Sequence, residues 1–182
     1  MNNRENLNIE IKKFLENNAE KIMLITGTHQ YEKHIELLKI LSKYEEDGTK
    51  VLFRLNGKDN IETIFNNKIK SSKLNTKIKI GNIQMYIDTI NNRTWRNDKY
   101  DVSIIYPIDP LCRMNDRKRE EIINNLLRNN VNKLFIVSWT DNYDYTWLNE
   151  FGVDRIAVFD AEEEDKAYHS RVLECINKNN WR

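Results

Sequence analysis

A chain of 182 residues, 40% hydrophobic and 31% charged, can bury roughly two thirds of its unfolded surface, which excludes disorder and fits one domain over 1–182. Its 29 Lys and Arg stand against 28 Asp and Glu, so a protein devoted to gripping duplex DNA through a basic excess is excluded, while a local basic patch is not. The start, MNNRENLNIEIKKFLENN, has no apolar signal core, no run reaches membrane-span length, and Cys112 and Cys175 stand far apart; a soluble protein of the reducing cytoplasm is expected, without a membrane partner.

In chain order, residues 5–19 place Leu7, Ile11, Phe14 and Leu15 at helical spacing. Residues 21–27 are a short apolar run closed by Gly27, the pattern of a strand buried on both faces. A helix over 31–44 follows and is stopped by Asp47-Gly48. A second strand is expected over 50–55 and a short helix over 60–67. Residues 76–90 alternate more, as in a hairpin around Gly81-Asn82. Then come a strand at 102–106, a helix at 115–129, a strand at 133–137, a short helix at 145–151, a strand at 154–159 and a closing helix at 162–177.

Strands alternating with helices imply crossover connections. The expected fold is an α/β, three-layer α/β/α sandwich, with a mainly parallel sheet of about five strands and a small β insertion near 76–90.

In such sheets ligands sit beyond the carboxyl ends of the strands, so the first strand-to-helix turn is where a site is sought. It reads Gly27-Thr28-His29-Gln30-Tyr31-Glu32-Lys33-His34. A phosphate-binding loop has glycine, four residues, then Gly-Lys-Ser/Thr, so that backbone N–H groups ring the phosphates. Here the first glycine and the lysine keep their distance, while Glu32 and His34 replace the second glycine and the hydroxyl residue. Residues 100–107 end in Tyr106-Pro107, where a Walker B strand carries Asp and Glu. Residues 133–140 end in Ser138-Trp139-Thr140, a polar strand end.

On these features the chain resembles the P-loop NTPase superfamily, in its branch with an additional catalytic glutamate that includes RecA-like and AAA-type ATPases. The resemblance spans most of the chain. It implies that the end of the 133–137 strand would sense a terminal phosphate, and that a nucleotide would lie over Gly27, Thr28, Lys33 and His34. The departures imply lost hydrolysis, because Tyr106, Pro107 and His34 cannot supply the magnesium ligands or the general base.

The reading is therefore a noncatalytic, degenerate P-loop-like binding or assembly module without a cofactor. Lys33 and the backbone after Gly27 would retain weak anion binding. The expected setting, a phage, mobile element or defence system, rests only on how often degenerate small proteins arise there. A protein partner or self-association would use the aromatic segment from Trp139 through Tyr143 and Tyr145 to Trp147.

Two alternatives stand beside it. A metal-dependent nuclease or phosphate-ester hydrolase would draw on Asp109, Asp116, Asp160 and Glu164, provided the carboxylates converge. A nucleic-acid-binding accessory protein would use Lys77, Lys79, Arg93, Trp95 and Arg96 as one positive, stacking face, although lysines on an edge strand also guard against aggregation. His29 and His34 with Glu32 and Glu36 lie too close along one turn to make a convincing metal set, and no metal is assigned.

Overall fold

The computed structural model describes residues 2–90, 99–128 and 132–179. Helix α1 (Arg4–Glu16) starts at Asn3, whose side chain accepts the Asn6 N–H, and buries Leu7, Ile11 and Phe14 along one face. Strand β1 (Ile22–Thr26) is buried at every position. Helix α2 (Lys33–Tyr44) packs through Leu37, Leu38, Ile40 and Leu41. Then follow β2 (Thr49–Leu55), a short α3 (Ile61–Ile64), β3 (Lys77–Ile80), β4 (Ile83–Thr89) and β5 (Val102–Ile105). The chain continues with α4 (Asp109–Cys112), α5 (Asp116–Arg128), β6 (Lys133–Val137), β7 (Arg155–Val158) and α6 (Lys166–Asn179).

Among the described residues the strands form one sheet of seven, in the order β3-β4-β2-β5-β6-β1-β7. Every pairing is parallel except that of β3 with β4. The α/β class and mainly parallel sheet agree with the sequence reading; the strand number does not. Residues 76–90 are no appendage, because β4 pairs with β2 from Thr49 opposite Ile83 to Leu55 opposite Thr89. The hairpin expected around Gly81-Asn82 is present, β3 running antiparallel to β4 with Ile80 opposite Ile83, but its second strand is part of the main sheet: Ile83, Met85 and Ile87 enter the core, while Gln84 and Tyr86 meet a half-covered face. Gly81, at φ +54°, makes the turn into β4, and a Cβ there would lie 2.4 Å from the Ser42 carbonyl oxygen.

Successive strand residues point to opposite faces. Met23, Ile25, Val51 and Phe53 join α1, α2 and α3 in one apolar cluster, whereas Ile22, Leu24 and Leu52 join α4 and α5 in a second. Buried Lys133 ties the amino end of β6 to α1, its Nζ donating to the carbonyls of Phe14, Asn17 and Glu20 at 2.6–2.7 Å. The connections then decide where a site forms. The chain leaves β2 toward β4 and leaves β5 in the opposite direction, toward β6, so a crevice opens between the carboxyl ends of β2 and β5. Among the described residues no helix is long and apolar enough to cross a membrane.

Candidate functional site

The first turn lies between β1 and α2, at the carboxyl end of the sheet. Three of its successive backbone N–H groups, those of Thr28, His29 and Gln30, which could otherwise face an anion, have acceptors from this chain. The Asp141 carboxylate lies against the Gly27 backbone, which favours its charged form. The Thr28 N–H donates to Asp160 Oδ1 at 2.9 Å, the His29 N–H to the Phe159 carbonyl at 3.2 Å, and the Gln30 N–H to the Thr28 carbonyl at 2.9 Å. Gly27 takes φ +109°, and a Cβ on it would meet the Phe159 carbonyl oxygen at 2.3 Å. The glycine is there for this crossing of two backbones.

Lys33 turns inward. It is fully buried, and its Nζ donates to the Gly27 carbonyl at 2.5 Å and the Trp139 carbonyl at 3.2 Å. Burial pulls its ammonium down to about 8, against the charges of Asp141, Asp109 and Asp160. Burial likewise pushes the Asp141 carboxyl above its ordinary range, against the pull of Lys33. His34 is buried too, stacked on Tyr106 at 3.9 Å, with Nε2 2.7 Å from the Ile64 carbonyl oxygen and Nδ1 without a partner. Burial lowers its imidazole to about 4. Tyr106, just after β5, donates its hydroxyl to the Gln30 carbonyl at 2.8 Å.

From the outside, the start of α6 clamps the turn. Thr28 Oγ1 lies 2.7 Å from His169 Nδ1 and accepts the Ala161 N–H at 3.1 Å. Tyr168 donates to Gln30 Oε1 at 3.0 Å, and the His29 ring packs on Phe159 at 4.6 Å. Glu164 takes Arg4 at 2.7 Å and sits 2.9 Å from His29 Nε2, and the Arg4 hydrogen bond leads in holding its carboxyl down to about 2.

The crevice beside the turn is open, with a volume of about 310 Å³. Asn56 and Asn60 come from the exit of β2, Pro107 and Asp109 from that of β5, and Trp139, Thr140, Asn142 and Tyr143 from that of β6. Asp109, seven per cent exposed, organises the β6 exit: its oxygens accept the Trp139 N–H at 2.7 Å and the Thr140 N–H at 3.1 Å. Trp139 is held edge-on by Tyr31 at 4.9 Å and stacks on Tyr106 at 6.0 Å. Arg113, just after α4, donates through Nε to the Tyr143 hydroxyl at 2.6 Å and lies 5.4 Å over its ring.

The expected residues divide accordingly. Gly27, Thr28, Lys33 and His34 lie at one turn, but the Thr28 N–H and hydroxyl, the Lys33 ammonium and His34 Nε2 are engaged by the protein, and His34 Nδ1 is buried without a partner. Trp139 and Tyr143 line the crevice, whereas Tyr145 and Trp147 pack against the second core, Tyr145 donating to the Thr140 carbonyl at 2.7 Å and Trp147 facing Arg119 at 5.0 Å. The four aromatics therefore do not share one exposed face. Asp116 pairs with Arg119 at 2.9 Å, Asp109 serves β6, and Asp160 and Glu164 serve the first turn and its clamp. Among the described residues no group of three or more His, Cys, Asp or Glu is placed to hold a metal. Lys77 and Lys79 are exposed on edge strand β3, where Lys79 pairs with Asp47 at 3.0 Å; Arg93, Trp95 and Arg96 lie outside the described residues.

Sequence reasoning missed Asp141 and Phe159, which fill the turn, and Arg113 and Asn142, which shape the crevice. Asp141 lies inside the aromatic segment that was singled out, yet the Lys33 charge it faces is over a hundred residues away, and Arg113 meets Tyr143 thirty residues along, and no local pattern marks those pairings. No protein-family model matches this chain, and no curated protein is significantly similar to it.

Proposed function

We propose that the chain is a noncatalytic, P-loop-like binding or assembly module, a three-layer α/β/α fold whose phosphate turn has been turned to structural use. The observation that carries this reading is the closed turn: the three successive N–H groups of Thr28, His29 and Gln30 and the Lys33 ammonium are satisfied by Asp160 and main-chain carbonyls. The position of β6 between β1 and β5 is compatible with the resemblance, since a strand whose polar end reaches a ligand over the first turn must lie next to β1. Loss of hydrolysis follows from chemistry. Tyr106 and Pro107 offer no carboxylate, and Asp141 and Asp160 put negative charge where phosphate oxygens would have to enter.

The test is calorimetric titration of the full chain with ATP and GTP, with and without magnesium, beside Lys33→Ala. The expected result is no saturable heat at millimolar nucleotide. Magnesium-enhanced binding that Lys33→Ala abolishes would overturn the closed-turn reading. The double variant Asp141→Asn/Asp160→Asn separates a turn that is filled from one that never bound phosphate: gain of phosphate binding points to the former.

A further inference from the structure

We infer that the crevice between the carboxyl ends of β2 and β5 is a binding site for a small, flat ligand carrying one anionic group, either a carboxylate or a phosphate monoester. This does not rest on the P-loop resemblance, because none of Gly27, Thr28, Lys33 or His34 lines the crevice.

The argument begins with position and shape. The crevice stands at a point where chain connections diverge to opposite sides of a parallel sheet, and its volume of about 310 Å³ falls within the range of small-molecule sites. The walls are partly apolar, from Ile64, Pro107 and Pro110, and the Trp139 indole is fixed by Tyr106 and Tyr31. A rigid indole in a slot of this size favours a ring over a flexible chain, because little side-chain entropy is lost when the ring docks.

Hydrogen-bond inventory supplies the charge. Asp109, the one carboxylate of the lining, has both oxygens taken by the Trp139 and Thr140 N–H groups. The Asn56 carbonyl oxygen is taken by Asn60, and the Asn142 carbonyl oxygen by the Thr140 hydroxyl. What remains is mostly donors: the amide nitrogens of Asn56 and Asn142, the Trp139 indole N–H and the two terminal nitrogens of Arg113 make no hydrogen bond among the described residues, against one unengaged carbonyl oxygen, that of Asn60, and the Thr63 hydroxyl, which can act either way. Tyr143 holds the Arg113 guanidinium through Nε, so the free edge is the pair of terminal nitrogens, the fork that matches a carboxylate or phosphate bidentately. A donor-rich slot with one oriented guanidinium selects an acceptor-rich anion. It does not select a polyphosphate, for which a single arginine is poor neutralisation.

Three probes of one shape test this: 2-naphthoate, 2-naphthyl phosphate and neutral 2-naphthol, titrated into the isotope-labelled full chain while the Trp139 indole and the Asn56 and Asn142 amide resonances are followed. The expected result is saturable shifts at those groups with one or both anions, and binding of the naphthol at least about tenfold weaker. The phosphate alone identifies a phosphate monoester as the natural source, and the carboxylate alone a carboxylate. Arg113→Gln, at an exposed position, should weaken the anions about tenfold and leave the naphthol unchanged. Thr63→Trp, which fills the slot from its exposed rim, should abolish all binding. Equal binding of naphthol, indifference to Arg113→Gln, shifts at Thr28 and Lys33 instead, or no shift at about 10 mM probe would each overturn the inference. Retained crevice binding alongside nucleotide binding at the turn would overturn only the closed-turn reading.

Discussion

The first turn and the neighbouring crevice occupy the same end of one parallel sheet, yet their polar groups are disposed in opposite ways. At the turn, donors that could hold an anion meet Asp160 and the Phe159 and Thr28 carbonyls. At the crevice, the one carboxylate is spent on the backbone and the donors face the space. The difference shows that a strand end is made receptive by which side of the hydrogen-bond inventory is left over. Fold position alone does not decide it. Four perturbations, taken from large effect to small, can break or sharpen this contrast.

Gly27→Ala should be the most damaging. The added Cβ would lie 2.3 Å from a backbone oxygen, at φ +109°, and neither main chain can step aside without undoing the β1–β7 pairing. A loss of about 3 kcal/mol or more is expected from denaturant midpoints. Unchanged stability would mean that the turn is not closed by Phe159.

Next is acid. His34 is buried neutral, so an unfolded imidazole takes up a proton near 6.5 while the folded one waits until about 4. The unfolded chain binds more protons in that window, and stability present above pH 6.5 is therefore lost as pH falls toward 4, by at most about 3 kcal/mol. Protonation would place a charge on Nδ1, which has no acceptor. His34→Gln keeps a donor for the Ile64 carbonyl and should flatten the profile between pH 6.5 and 4 relative to the unaltered chain, as read by urea unfolding.

Asp160→Ala comes third, removing the acceptor of the Thr28 N–H and a neighbour of its hydroxyl, with an expected loss of about 1–3 kcal/mol. If the loss is within experimental error, the turn's donors are satisfied by solvent and the contrast with the crevice fails.

How much of this was legible in sequence follows from the range of each interaction. The buried strands were readable from local apolar runs, as at residues 22–26 and 133–137, because burial on both faces leaves no polar alternation. The hairpin around Gly81-Asn82 was readable, but β4 was taken for part of an insertion because Gln84 and Tyr86, on a half-covered face, give it the alternation of a strand outside the main sheet, and its parallel pairing with β2 leaves no local mark. The spacing from Gly27 to Lys33 was readable, but the direction of Lys33 was not, since it is set by the Trp139 carbonyl far along the chain. The same holds for Arg113, whose orientation depends on Tyr143 in another connection.

Tyr143→Phe is the mildest change and the most discriminating. It removes the oxygen that accepts Arg113 Nε at 2.6 Å but leaves the ring over which the guanidinium lies at 5.4 Å. Because Arg113 is exposed, water replaces the lost acceptor, and the stability change should stay within about 1 kcal/mol. The stacking that remains fixes the distance of the guanidinium but not its rotation, so the terminal nitrogens should lose their common direction. Thermal melting and the exchange rate of the Arg113 Nε proton read the two effects separately: an unchanged melt with faster exchange is expected. A fall in stability as large as that of Asp160→Ala would instead make the Arg113–Tyr143 pair part of the scaffold, and the crevice would then be closed in function like the turn beside it.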